Sequence, residues 1–364
     1  MLLVLLALIL TACQGEEDLG PETTVLVLNP YESVDWDNDA IFLANLHTHT
    51  THSDGQSMPH DVVDYYHALG YDILAITDHD LYTYPWTFSD IDPLWEDRDP
   101  SALGMLAIPG NEYTNWARSG AFHDIVGLFT DHLIDFETFE GLEHEAMTEI
   151  AERGGMMIMA HPGRYWKIFT SYETGERYSP EWYLDFFDSF NIESLLGIEI
   201  YSQQDRHNHD RDLWDRLLMD SMPERPIWGF GTDDYHGADP DGRINWSFTN
   251  HFMREKTVDD FKDNLITGAF YTSYTNQESD TAPTITRIIV NEDERYIEII
   301  AEDYETIKWF SGVDETLKTS QLIQEGNRFY YGHFQGSYIR AEIWKDEYTP
   351  SVSLTQPFGF YQED

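Results

Sequence analysis

One cysteine, Cys13, stands in 364 residues, so an intrachain disulfide and a thiolate metal cluster are both excluded. Lysine is nearly as scarce, with 6 Lys beside 15 Arg. Against these 21 cations stand 67 Asp and Glu, a formal charge of −46. Such an acidic chain repels nucleic-acid phosphates and anionic lipid headgroups, so neither is an expected partner. It suits a salty medium, where counterions screen self-repulsion. No apolar run reaches the roughly 18 residues of a membrane-spanning helix; the run Leu2–Leu10 covers 9. Apolar residues still make up 41% and aromatics 15%, which is ample for a large buried core.

The Leu2–Leu10 run fits the apolar centre of a signal peptide. It ends Leu10-Thr11-Ala12-Cys13, which resembles the bacterial lipobox, where the cysteine is diacylated and becomes the mature first residue. The resemblance implies a signal peptide over 1–12 and a lipidated Cys13 with a flexible tether over 13–38, Glu16-Glu17-Asp18 included. Gln14, rather than Asp, follows the cysteine, which points to the outer membrane if the source is Gram-negative. Contact with a membrane is expected through Cys13 only.

From Ile41 onward short apolar runs alternate with amphipathic stretches. Strands are expected at Ile41–Leu46, Tyr71–Thr77, Gly104–Pro109, Ala121–Phe129, Met156–Ala160, Leu195–Tyr201 and Pro226–Gly231. Helices are expected from Pro59 to Leu69, with Ser57 as N-cap, and at Ile134–Arg153, Pro180–Phe190, His209–Met219 and Val258–Leu265. The alternation predicts an α/β fold with a mainly parallel sheet, a barrel one strand short of the regular eight. From about Ile285 the pattern changes to short alternating strands with turn residues between them. That tail reads as a small all-β sandwich over 281–364, after a barrel over 39–280.

The histidines carry the functional argument. The first strand runs into His47-Thr48-His49, with Asp54 close behind, and in extended backbone residues i and i+2 share a side. The second strand ends Asp78-His79-Asp80, and the third ends Asn111-Glu112. The fourth carries His123, the fifth ends Ala160-His161-Pro162-Gly163-Arg164, and the seventh ends Asp233-Asp234-Tyr235-His236. Barrel enzymes build their sites at the C-terminal ends of strands. Imidazole and carboxylate without thiolate suit Zn, Mn or Fe. The set His47, His49, Asp54, His79, Glu112, His123, His161, Asp234 and His236 exceeds what one ion takes. It suits two or three divalent ions, with Glu112 as a bridge. Between Asp233 and Asp234, the spacing to His236 favours Asp234.

In this order, His-x-His-x(4)-Asp-Gly, Thr-Asp-His-Asp, Gly-x-Glu, Ala-His-Pro-Gly and Asp-x-His resemble the polymerase and histidinol phosphatase (PHP) family, over His47 to Gly237. The stretches Glu199-Ile200-Tyr201, Leu213–Leu218 and Gly268–Ser273, with the β-rich tail, resemble its CehA/McbA-type branch. The resemblance implies a distorted (β/α)7 TIM-like barrel, a two- or three-metal centre, and hydrolysis of a phosphorylated small molecule.

No Ser-His-Asp arrangement is visible, so the expected nucleophile is a metal-bound hydroxide. Arg164 is placed for bidentate contact with a phosphate, and Asp78 for orienting a neighbouring ligand. The aromatic loop Tyr82–Trp86 is a candidate pocket wall, and Arg243 a second candidate phosphate contact. His207 and His209 read as solvated surface, and His52 lies off the His47/His49 parity. Two other functions remain open: hydrolysis of a neutral ester, amide or carbamate, and a non-catalytic surface lipoprotein that binds metal or glycan.

Overall fold

The computed structural model describes residues 23–87, 94–114, 123–130, 143–165, 178–203, 205–237, 244–276, 281–314, 316, 319–346 and 350–363. The expected signal peptide, Cys13, Arg243 and the first part of the 134–153 helix lie outside these residues.

The first half holds β1 (Thr24–Leu28), β2 (Ala40–Asn45), β3 (Ile73–Ala75), β4 (Leu106–Ile108), β5 (Gly110–Tyr113), β6 (Ile125–Leu128), β7 (Met156–Met159), β8 (Leu195–Tyr201) and β9 (Trp228–Gly231). Between them lie α1 (Pro59–Ala68), α2 (Pro100–Leu103), α3 (Glu143–Glu152), α4 (Pro180–Ser189) and α5 (Asp210–Ser221). β10 (Ser247–Met253), α6 (Val258–Thr267) and β11 (Phe270–Tyr274) follow. The tail is β12 (Thr284–Asn291), β13 (Tyr296–Glu302), β14 (Thr306–Asp314), β15 (Thr319–Glu325), β16 (Arg328–Tyr330), β17 (Tyr338–Trp344), β18 (Val352–Thr355) and β19 (Phe358–Gln362).

Local chemistry sets the helix ends. Ser179 accepts from Trp182 N at 3.2 Å, with Pro180 in the first turn of α4. Thr257 caps α6, and Gly268 ends it at φ 76. Ser57 does not cap α1: its hydroxyl pairs with Tyr235 Oη at 3.0 Å, and Met58 takes the cap position. Every residue of β7, β8 and β9 is buried, as expected of strands covered on both faces. Where β8 meets β9 a Cβ on Gly197 would lie 1.8 Å from Trp228 O, so only glycine fits.

The α/β reading holds, and each of the seven expected barrel strands is present, but the ladder is split. β5-β6-β7-β8-β9 form one sheet, while β2, β3 and β4 pair in parallel at the edge of another. Parallel bridges join the two at one end, His79 with Glu112 and Thr48 with Tyr235. A continuous closed barrel is not seen among the described residues. β6 departs from the expected direction: it runs antiparallel to both β5 and β7. It is therefore the N-terminal end of β6 that reaches the mouth where its neighbours end.

The tail is a sandwich with one shared layer. The large sheet runs β1-β19-β17-β18-β11-β10-β2-β3-β4, with β14 branching from β17 and β15 from β14. The sheet β12-β13-β16 packs on it through a core of Ile285, Ile297, Ile299, Trp309, Phe329 and Ile343. Residues 24–28, expected in the tether, are β1 and pair with β19. A buried ion cluster fastens the tail to α5. Arg340 donates to both oxygens of Asp215 at 2.8 and 2.6 Å and to Glu342 at 2.7 Å. Its guanidinium lies 5.1 Å from the Trp214 ring and 5.0 Å from the Phe310 ring. Removing one partner of such a pair strands a buried charge at a cost of about 3–5 kcal/mol.

Candidate metal centre

The end of β2 stays extended beyond Asn45 because Thr48 bridges to Tyr235 and donates to Ala75 O at 2.9 Å. His47 and His49 therefore point the same way, and their Nε2 atoms lie 3.0 Å apart. Glu112 Oε2 sits 3.2 Å from each of these nitrogens and 2.9 Å from His79 Nδ1. Glu112 Oε1 faces His161 Nε2 at 3.2 Å. Asp234 Oδ1 lies 3.0 Å from His49 Nε2 and 3.4 Å from His236 Nδ1. At the outer rim, Asp54 Oδ1 is 3.2 Å from His236 Nε2 and 3.5 Å from His79 Nε2.

These donors form four overlapping groups, each with ligand atoms within 4.8 Å of one another. They are His49-Asp54-His79-His236, His47-His161-Asp234, His47-His49-Glu112 and Glu112-Asp124-His161. Glu112 Oε2 and Asp234 Oδ1 are buried without a hydrogen-bond partner, although imidazole nitrogens crowd them. Carboxylate oxygens and ring nitrogens aimed at shared points fit divalent cations. The backbone is strained at the same mouth: Asp80, His161, Gln203 and Asp234 have φ of 47, 29, 49 and 46.

Eight of the nine expected ligands are brought together, and His123 is not. Its Nδ1 faces Asp124 O at 2.7 Å, its Nε2 faces Tyr183 Oη at 3.0 Å, and its ring packs 4.3 Å from Tyr165. The physical reason is parity. His123 and Asp124 enter β6 side by side, and neighbours in extended backbone point apart. Asp124 is the one turned to His161 and Glu112.

Supporting groups surround the donors. Glu199, wholly buried in β8, faces His47 Nδ1 at 2.7 Å, accepts from Thr232 Oγ1 at 2.6 Å and from the His161 N–H at 2.8 Å. A carboxylate on the far nitrogen fixes the tautomer of a ligating histidine. Asp78 does not face the cluster. It accepts from Thr50 N, Thr50 Oγ1 and Ser53 Oγ, all at 2.7 Å, and so holds the loop carrying His49 and Asp54. Asp233 is spent on Asn45, Tyr66 and three backbone N–H groups, which leaves Asp234 for the cluster. Gln203 donates to Asp234 Oδ2. Arg164, 57% exposed at the rim, donates to Asp124 Oδ2 at 3.0 Å, and Tyr165 Oη donates to the same oxygen.

His207 is half-buried rather than solvated and packs against the Pro162–Arg164 turn, where a Cβ on Gly163 would lie 2.7 Å from its own Cβ. His52 lies edge-on to Trp95 and outside the four groups.

Sequence reasoning missed Asp124, Gln203 and the role of Glu199. Glu199 had a signal: an acid inside the otherwise apolar run Leu195–Tyr201 needs partners to be buried.

Burial opposes charge on the imidazoles, but the acids overcome it. Glu112, Asp234 and Glu199 hold His47 well above the ordinary imidazole range. Glu112 and Asp54 push His79 up to about 10, and Glu112 with Asp234 pushes His161 up to about 9. Burial likewise works against Glu112, yet His47 and His79 keep it well below the carboxylate range. Protons thus serve as counterions wherever metal does not.

No family model matches the chain, and no curated protein does. Among the solved structures that are similar in part, three are described. One, from Bacteroides vulgatus, is described as a two-domain protein containing a predicted PHP-like metal-dependent phosphoesterase. It is 16% identical, at a TM-score of 0.48, over 93% of this chain and 90% of that one. An amidohydrolase from Chromobacterium violaceum is 18% identical, at a TM-score of 0.37, over 55% of this chain and 89% of that one. A protein described only as a candidate metal-dependent phosphoesterase, from Bifidobacterium adolescentis, is 16% identical, at a TM-score of 0.38, over 62% of this chain and 96% of that one. At these values the weight of the assignment rests on the site's own side chains.

Glu199→Gln keeps the shape but removes the charge behind His47. Its metal affinity, measured by competition with a chromogenic chelator, is expected to fall about 10- to 100-fold; unchanged affinity overturns the role. Metal must also displace protons. His79 and His161, raised to about 10 and about 9, bind more protons in the folded metal-free chain than in the unfolded one. Their stabilising contribution is complete below about 6.5 and lost as pH climbs through the raised values. Metal-free protein therefore loses stability between neutral and alkaline pH, and metal uptake at pH 7 releases protons. Calorimetry in buffers of different ionisation enthalpy reads that release, and none observed contradicts the arrangement.

Proposed function

We propose that this chain is a metal-dependent hydrolase of the PHP type that cleaves phosphoesters. The observation that carries the reading is the convergence of eight expected donors, plus Asp124, in four overlapping groups, three of which include Glu112 or Asp234. That spacing suits two or three ions of zinc, manganese or iron, which Glu112, present in two of the groups, would help to hold. When bound, such ions supply Lewis acidity and lower the pKa of a coordinated water from about 15.7 to about 7.

The chain's own residues do the rest. Glu199 and Asp78 hold His47 and the His49–Asp54 loop in register, so ligand geometry is set before substrate arrives. Gln203 ties up one oxygen of Asp234 and leaves the other for the cluster. Arg164 and Tyr165, both anchored on Asp124, offer a guanidinium and a phenol at the rim. A guanidinium there suits two phosphoryl oxygens at once.

A second reading, hydrolysis of a neutral ester or carbamate, is favoured by the charge of −46, which opposes the approach of any anion. Export and anchoring through a lipidated Cys13 complete the proposal, supported by the Leu10-Thr11-Ala12-Cys13 motif.

Metal-loaded protein is expected to turn over aryl phosphates faster than aryl carbamates. His47→Ala and His161→Ala should each lower kcat at least about 100-fold, together with bound metal by elemental analysis. Full metal content in both variants, or carbamate as the better substrate, rejects the phosphoesterase reading. Expressed in a Gram-negative host, the wild type should sediment with membranes and Cys13→Ser should not; equal partitioning removes the anchor.

A further inference from the structure

We propose that Arg206, beside Arg164, is a clamp for a second anionic group, so that the substrate is a phosphoester that also carries a carboxylate or a further phosphate. The phosphoester half rests on the hydrolase reading; the clamp stands on the side chains themselves.

Cations are scarce in this chain, and most described arginines are spent on its own acids. Arg98, Arg211, Arg287, Arg328 and Arg340 each hold a carboxylate oxygen at 2.8 Å or less. Arg206 holds none among the described residues. It is exposed, and its Nη1 donates to Gln203 Oε1 at 2.8 Å, which leaves most of its N–H donors unused. With 67 acids against 21 cations in the chain, a guanidinium left without a carboxylate is open to a ligand that brings one, or a phosphate.

Its place beside the metal centre is fixed by hydrogen bonds. Because Gln203 Oε1 accepts from Arg206, the Nε2 end of the same amide is turned to Asp234 Oδ2, to which it donates. A single amide thus separates the guanidinium from a carboxylate of the donor groups. That bond also holds the long side chain before a ligand arrives, so less rotamer freedom is lost on binding. Arg164 comes in from the neighbouring turn. A Cβ on Gly163 would lie 2.7 Å from the His207 Cβ, and Arg164 follows the one residue while Arg206 precedes the other. Consecutive Cα atoms are about 3.8 Å apart, so the packing of Gly163 on His207 brings the two arginine side chains into one neighbourhood. Both act on the half-buried His207: burial, His161, Arg206 and Arg164 push its imidazole down to about 4.

The two cations differ in their anchors. Arg164 donates to Asp124, a member of the Glu112-Asp124-His161 group, and so borders the place of a scissile phosphoryl group. Arg206 is held by Gln203, which lies outside all four groups. An anion that reaches Arg206 while the phosphoryl group lies over the donors is therefore a separate one. The clamp also sets positive charge where an anion must approach against a field of −46.

The test is calorimetric titration of metal-loaded full-length protein with three probes of similar length. Propylphosphonate has one anionic group, 3-phosphonopropionate adds a carboxylate, and propane-1,3-bisphosphonate adds a second phosphonate. At least one of the last two should bind about tenfold tighter than propylphosphonate, and the better of them names the second anion. Arg206→Ala should abolish the preference and Arg206→Lys should keep part of it. Arg254→Ala removes the same charge from a pair with Asp35 outside the donor groups, and should keep all of it. No preference in the wild type, a preference that survives Arg206→Ala, or an equal loss in Arg254→Ala overturns the clamp. So does a fall in bound metal in Arg206→Ala by elemental analysis, since the arginine would then act through Gln203 and Asp234 and not on the ligand. A preference dependent on Arg206 in a protein that cleaves no phosphoester upholds the clamp and rejects the hydrolase reading. Cleavage of phenyl phosphate without such a preference rejects the clamp alone.

Discussion

A set of carboxylates is buried at one end of two facing sheets, and everything around them answers to that charge. Glu112, Asp124, Glu199 and Asp234 are each under 6% exposed, in a chain already carrying −46. Acids so buried must be protonated, hydrogen-bonded or matched by cations. The fold uses the last two. Glu199 is saturated by a ring nitrogen, a hydroxyl and a backbone N–H, whereas Glu112 and Asp234 each keep one oxygen among imidazoles. The first arrangement is closed to any further partner, whereas the second leaves an acceptor turned toward ring nitrogens.

Much of this was legible in the sequence, for an identifiable reason. His47 and His49 could be paired because i, i+2 spacing in a strand is rigid. His79, Glu112, His161 and Asp234 could be placed because each follows an apolar run short enough to be only a strand. The choice of Asp234 over Asp233 also followed from spacing. His123 against Asp124 could not be decided, because the answer depends on the direction of β6. That direction is set by pairing with β5 and β7, and nothing within Ile125–Leu128 itself encodes it. The sequence points to Asp78 as orienting a neighbouring ligand; in the structure it bonds loop backbone and hydroxyls rather than a histidine ring or a carboxylate of the cluster.

The tail was recognisable as β-rich from its alternation, and β14 alternates buried with half-buried positions along its whole length. Its attachment was not recognisable. Strand order in a mixed sheet depends on long-range pairing, so no local pattern announces that β18 sits beside β11 or that β1 closes on β19. The buried Arg340 is equally silent in sequence, since an arginine in a strand reads as surface until Asp215 is found beneath it.

The unbroken run of strands from β2 through β10, β11 and β18 to β17 has an evolutionary consequence. β2 delivers His47 and His49, and its free edge is covered by strands that themselves lean on the C-terminal third of the chain. The two halves are consequently not interchangeable modules: recombination that swapped the tail for a foreign one would have to rebuild the hydrogen-bonded neighbour of the strand presenting those histidines. Lineages carrying this arrangement should inherit both halves together, with the seam between them among the slowest parts to diverge.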